Sequence, residues 1–255
     1  MNFRIISLIL IASAFLLSGC VTEGDPRISK IRMEVNPAPE MRGAGEHMTS
    51  DYQVRLSGGL NAGPSKKMEV DDVYRNGRSV DFAYSLEYGF VNAAAELALK
   101  KNIFMVNTGV GINNGLYTFA SLGLNTNHFE IGFSGGVWMN HRDYDCEGDM
   151  TVTSMLVFNE VKEYSHHSNN GTSVIYGGYA GAYLGDFGLE ISASTYEGDM
   201  ELEDVPFSPR VYTLYASASY RLNDHWRVRL GSVGVHGENF DKRYWSGFGG
   251  VSYIP

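Results

Sequence analysis

Long apolar runs are scarce in this chain. The one sustained stretch, Ile5–Leu17, would reach only about 20 Å as a helix, against the roughly 30 Å hydrocarbon core of a bilayer. That excludes a membrane-crossing helix there. Basic residues are also few, 20 Lys and Arg against 29 Asp and Glu, for a net charge of -9. A partner made of phosphates needs a basic face, so nucleic acid is excluded as a class. Proline occurs only seven times and charged residues make up 19% of the chain, while glycine reaches 30 and tyrosine 16. That balance points to an all-β chain rather than a disordered or collagenous one.

The N-terminus has the layout of an export signal. One cation at Arg4 precedes the apolar stretch, and small residues close it at Leu17-Ser18-Gly19-Cys20. This closing tetrad resembles the lipobox of bacterial lipoproteins. The resemblance implies a signal peptide over 1–19, cleavage before Cys20 and lipid attached to Cys20. Val21 stands where an Asp would favour retention at the inner membrane, so the resemblance also implies the outer membrane. An ordinary export signal with an unmodified Cys20 is the alternative. With Cys20 given to lipid, Cys146 has no partner and no intrachain disulfide is expected. Residues 20–50, with Pro26, Pro37 and Pro39 and no apolar periodicity, read as a flexible lipid-anchored tether with a reach of roughly 30 Å. Residues 51–255 form the remaining domain.

From Asp51 the chain alternates with period two. Val80, Phe82, Tyr84, Leu86 and Tyr88 oppose Asp81, Ala83, Ser85 and Glu87; Phe129, Ile131 and Phe133 oppose Glu130, Gly132 and Ser134. Strands are expected at 51–61, 78–89, 93–100, 103–112, 115–124, 128–139, 149–160, 172–184, 187–197, 209–221, 225–236 and 244–254. The segment Ala93–Lys100, following Asn92, reads equally well as a capped short helix. Short Gly/Asn/Asp turns alternate with longer polar loops, the asymmetry of an up-and-down outer-membrane barrel. The alternation fails once, because 140–148 and 162–171 are consecutive long loops. Either one of them faces the periplasm or one expected strand is misplaced.

Alternation by itself does not say which face meets lipid, since a soluble calyx would turn the same apolar face inward. Two features favour the membrane. Tyr212 and Tyr220 share the apolar face of one strand about 26 Å apart, or about 20 Å of height at a barrel tilt, close to the spacing of two aromatic girdles. The opposite faces carry Arg55, Glu87, Glu96, Glu130, Glu190, Arg221, Arg227 and Arg229. In a membrane these charges must line the lumen, because a charge toward mid-bilayer lipid costs roughly 2–4 kcal/mol. The pattern over 51–255 resembles the small outer-membrane β-barrel proteins of bacteria. It departs from them at its end, Val251-Ser252-Tyr253-Ile254-Pro255, where they commonly carry an aromatic residue.

Three constellations suggest chemistry. His166-His167-Ser168 places a histidine two residues from a serine, with Glu160 or Glu163 available to orient it, a spacing similar to that of outer-membrane lipid A deacylases. The surrounding loop fixes no geometry, and a solvated loop is the plainer reading. Asp143, Asp145, Glu147, Gly148 and Asp149 imitate the first half of a calcium loop, but Ser154 occupies the position that needs a bidentate Glu. Glu147–Met150 recurs as Glu197–Met200, which gives two acidic loops rather than a proven repeat.

The sequence therefore predicts an all-β, up-and-down antiparallel transmembrane barrel of about ten to twelve strands. It is expected in the outer membrane, anchored through Cys20, with ion pairs plugging its lumen and a structural or surface-interaction role. Arg227 and Arg229 are expected to be neutralised across the lumen by Glu190. Outer-membrane lipid is the expected partner; no catalytic residue, metal or cofactor is assigned, and protein partners are not specified. The competing readings are a tethered soluble barrel with an apolar pocket lined by Tyr84, Phe129 and Phe133, and an acyl hydrolase using His166 and Ser168.

Overall fold

In a computed structural model, the described residues are 22–23, 27–62, 66–75, 78–86, 91–154, 157–197, 210–237 and 243–255. The expected signal peptide, Cys20 and Glu87 lie outside them. In chain order the strands are β1 (Thr22–Glu23), β2 (Arg27–Val35), β3 (Tyr52–Ala62), β4 (Lys66–Arg75) and β5 (Arg78–Leu86). Then come β6 (Val91–Lys101), β7 (Phe104–Asn113), β8 (Gly115–Asn125), β9 (Phe129–Ser154) and β10 (Val157–Leu184). The chain ends with β11 (Phe187–Glu197), β12 (Arg210–Arg221), β13 (Trp226–Gly237) and β14 (Tyr244–Tyr253).

β3 and β6 to β14 close into an antiparallel barrel of ten staves. The seam is β14 against β3, where Ser252 faces Ser57 and Tyr253 faces Leu56. Apart from β9 and β10 the staves are 10 to 12 residues long, about what a tilted membrane strand needs. Ala93–Lys100 is strand, not helix: it is paired on both sides, to β3 and β7, and ladder bonds on two edges override the helix preference of alanine. The terminal Pro255 interrupts no ladder. β14 ends at Tyr253, and the amide of Ile254 donates to the His225 carbonyl at 2.8 Å.

Two of the expected strands are not staves. The 78–89 candidate is β5, which pairs with β2 and β4 outside the barrel. The 149–160 candidate is the far end of a ribbon formed because β9 and β10 continue together past the barrel wall, from Asn140 opposite Gly171 to Ser154 opposite Val157. The consecutive long loops are the two arms of that ribbon, which removes the break in the loop rule.

The two ends of the barrel differ. Asn102, residues 126–128, Gly185-Asp186 and residues 222–225 make short turns at one end, beside Tyr52 and Tyr253. At the other, β9 and β10 run on as the ribbon, longer stretches of sequence such as 63–90 and 198–209 separate consecutive staves, and among the described residues Asn114, at positive φ, makes a tight turn.

The apolar face of the staves points outward. Phe133 is 80% exposed and Leu230 72%, whereas Glu130 is 2% and Arg229 7%. Exposed aromatics gather near both ends: Tyr52, Phe104, Phe187, Tyr220 and Trp226 toward the short turns, Tyr176, Tyr212 and Trp245 toward the long connections. Phe187 packs on Tyr220 and Trp226 on Tyr253, each pair with ring centroids 4.9 Å apart. An apolar pocket lined by Phe129 and Phe133 does not exist, because both rings lie on the outer surface; Tyr84 belongs to β5, off the barrel.

Candidate functional site

The interior is occupied by the chain itself. Residues 36–48, expected as part of a flexible tether, run through the barrel and are buried or half-buried throughout. Their path descends from the long-connection end, where the Tyr196 hydroxyl donates to the Asn36 carbonyl at 2.8 Å, to the short-turn end, where Lys100 Nζ donates to the Met48 carbonyl at 2.9 Å.

A segment with no regular structure can sit in a lumen only if its backbone polar groups find partners there. The staves supply them. Asn113 Nδ2 donates to Pro37 O at 3.2 Å, the Tyr215 hydroxyl to Ala38 O at 2.8 Å, and Asn107 Nδ2 to Arg42 O at 2.9 Å. Arg55 donates to the carbonyls of both Gly43 and Ala44, Arg227 to Gly45 O at 2.8 Å, and Asn125 Nδ2 to Glu46 O at 2.8 Å. In return the amide of Ala38 donates to Thr213 Oγ1 at 3.0 Å, that of Gly45 to Glu130 at 3.2 Å, and that of Met48 to Asn125 Oδ1 at 3.1 Å. Near the short-turn end Ala44 and Met48 also join Ala98, Met105 and Tyr179 in a small apolar cluster.

The charges interlock in the same way. Arg55 and Glu96, opposite each other on β3 and β6, form a direct ion pair. Arg42 of the threaded segment sits between Glu96 at 3.5 Å and Glu190 at 3.7 Å. Glu40 receives two bonds from Arg229, and Glu46 receives Arg227 at 2.9 Å and Arg221 at 3.2 Å. The set comprises Arg42, Arg55, Arg221, Arg227 and Arg229 against Glu40, Glu46, Glu96, Glu130 and Glu190, equal numbers of each sign. Within this set the staves contribute four arginines and three glutamates, and residues 40–46 contribute one arginine and two glutamates.

The expected pairing of Arg227 and Arg229 with Glu190 is thus largely replaced. Arg229 Nε does reach Glu190 at 3.7 Å, but its two-pronged partner is Glu40, and the ion-pair partner of Arg227 is Glu46. Arg55, Glu130, Glu190, Arg227 and Arg229 lie inside the barrel, while the Arg221 side chain is about one-third exposed at its short-turn end. Glu40, Arg42 and Glu46 were missed because nothing in a Pro/Gly-rich stretch marks a charge as buried. What space remains between Glu40, Arg42, Glu96, Arg229, Tyr117 and Tyr215 is about 40 Å³, room for a water or two.

The other candidates fall elsewhere. Asp143, Asp145, Glu147 and Asp149 run as extended β9 in register with β10, not as a calcium loop. His166 faces Asp145 across the ribbon and Ser168 faces Asp143. Glu197 closes β11, where it pairs with Arg210 at 2.6 Å; the rest of the second acidic copy lies outside the described residues. Among the described residues no group of three His, Cys, Asp or Glu side chains could hold a metal.

No family model matches the chain, and no curated protein does. Among solved structures it is similar to an outer-membrane-expressed OmpT of Vibrio cholerae, at 10% identity over 82% of this chain and 99% of that one, with a TM-score of 0.27. It is also similar to OccAB4 of Acinetobacter baumannii, at 8% identity over 82% of this chain and 63% of that one, with a TM-score of 0.25. Likenesses this slight carry no weight for role; the barrel rests on its own closed register.

Proposed function

We propose that this protein is an outer-membrane β-barrel lipoprotein, anchored at Cys20, whose lumen is closed by its own residues 36–48, with a structural or surface-interaction role and no enzymatic activity. The observation that carries the reading is the pairing of an apolar outer wall with a charged interior already filled by chain. An outer wall bearing Leu122, Phe133, Leu184, Leu189 and Leu230 would be unstable in water as a free surface, and hydrocarbon is its natural solvent. An interior occupied by residues 36–48, with Glu40 and Glu46 held by arginines of the wall, supports a closed lumen rather than the aqueous path that a general porin maintains. Outer-membrane lipid is the partner that this surface calls for.

The test is fractionation with a carbonate wash, followed by planar-bilayer recording of the purified chain. Retention in the washed membrane and near-silent bilayers are expected, with deletion of 36–48 producing open channels. Release by carbonate would return the reading to a tethered soluble domain. Large stable channels from the wild type would mean that the lumen is not closed.

A further inference from the structure

Residues 36–48 have a direction as well as a place. Tyr52, the first residue of the barrel, is at the short-turn end, and Asn36 is at the opposite end, where its carbonyl accepts from the Tyr196 hydroxyl. Upstream of Asn36 the described residues do not turn back. β2 continues away from the barrel along β9, with Met33 opposite Tyr144 and Arg27 opposite Asp149, and β1 follows with Thr22 opposite Thr153.

We propose that Cys20 and its acyl chains lie on the cell-surface side of the outer membrane, because the chain between anchor and barrel is threaded outward through the lumen. This rests on the reading of the protein as a membrane barrel lipoprotein. In such barrels the short turns face the periplasm and the long connections face outward. Thr22 is on the long-connection side, and two residues span no more than about 7 Å, so Cys20 is on that side too. An anchor left in the periplasmic leaflet would need residues 20–35 to cross back. Inside, the lumen is already filled by 36–48. Outside, an unpaired strand would carry unsatisfied backbone groups through hydrocarbon. The ribbon reaches roughly 40 Å from Asn140 at the rim to Thr153, so the acyl chains meet the external leaflet when the ribbon lies along the membrane surface. The threaded segment is then a tie between a surface lipid and the periplasmic end of the barrel.

Three single insertions of a protease site into the full chain test this on intact cells: between Gly24 and Asp25, within 198–209, and between Gly185 and Asp186. Cleavage at the first two, with the third protected until the outer membrane is permeabilised, is the expected result. Cleavage within 198–209 but protection at 24–25 would overturn the threading and leave the barrel standing. Protection within 198–209 would instead remove the membrane orientation on which both proposals depend. A second measurement avoids the insertions: Ala38→Cys with Thr213→Cys, in a Cys146→Ser background, should form a disulfide in the cell envelope. Failure of that pair to cross-link in correctly assembled barrels would also overturn the threading.

Discussion

Arg229 on β13 holds Glu40 with two hydrogen bonds, 2.8 Å to one carboxylate oxygen and 2.6 Å to the other, although 189 residues separate them in sequence. The pair is buried on the arginine side and joins the barrel wall to the segment inside it. Arg229 is further fixed by Ser217 Oγ at 2.9 Å and by the face of the Phe248 ring, 5.2 Å from its guanidinium carbon.

Removing either partner strands the other. Arg229→Ala leaves Glu40 with only Arg42 at 3.9 Å, and Glu40→Ala leaves Arg229 with Glu190 at 3.7 Å. Each single substitution should cost about 3 kcal/mol, read as a lower unfolding temperature of purified protein. The double substitution should lose less than the sum of the two, a coupling of at least about 1 kcal/mol. An unchanged melting temperature for Arg229→Ala would mean that this residue faces bulk water.

Gly45 is one of two points at which the threaded segment has no room for a side chain. Its φ is +73°, and a Cβ there would run into the Arg55 guanidinium. Gly45→Val should destabilise by about 1–3 kcal/mol and make residues 36–48 accessible to protease in purified protein. Gly43→Leu should do the same, since a Cβ would lie 2.5 Å from the Tyr179 ring and 2.6 Å from Glu130. Wild-type protease resistance in both variants would contradict the placement of the segment.

Leu230 tests the outer wall. It is mid-strand, opposite Ala218 and Gly249, and points away from the lumen. Leu230→Arg should cost about 2–4 kcal/mol of membrane stability and reduce the assembled protein in outer-membrane fractions, while Leu230→Val should assemble normally. Equal assembly of the two would show that this face does not meet hydrocarbon.

Cys20→Ser should abolish incorporation of labelled palmitate and impair processing of the precursor. Undiminished labelling of the variant would remove the lipid anchor from the proposal and leave the barrel untouched.

The staves were legible because a barrel wall writes itself locally. Phe129, Ile131 and Phe133 outward with Glu130 inward need only a period of two, and period two survives in any sequence window. Even Ala93–Lys100, ambiguous in isolation, alternates once it is flanked by β3 and β7. Which side of that alternation meets lipid was a tertiary matter, since closing the sheet with the opposite face inward would satisfy the same pattern.

The contents of the lumen left no local mark. Residues 36–48 resemble a disordered tether because they make no periodic contacts: most of their carbonyls accept from side chains 11 to 182 residues away, and their glutamates from arginines at the far end of the chain. Composition can say that such a stretch will not order itself. Whether a closed wall of complementary donors and charges orders it instead depends on ten strands meeting around it. The sequence by itself determined an alternating β chain with charges on one face; only the closed barrel decided that those charges pair with residues 40–46, because that partnership exists only once the wall surrounds them.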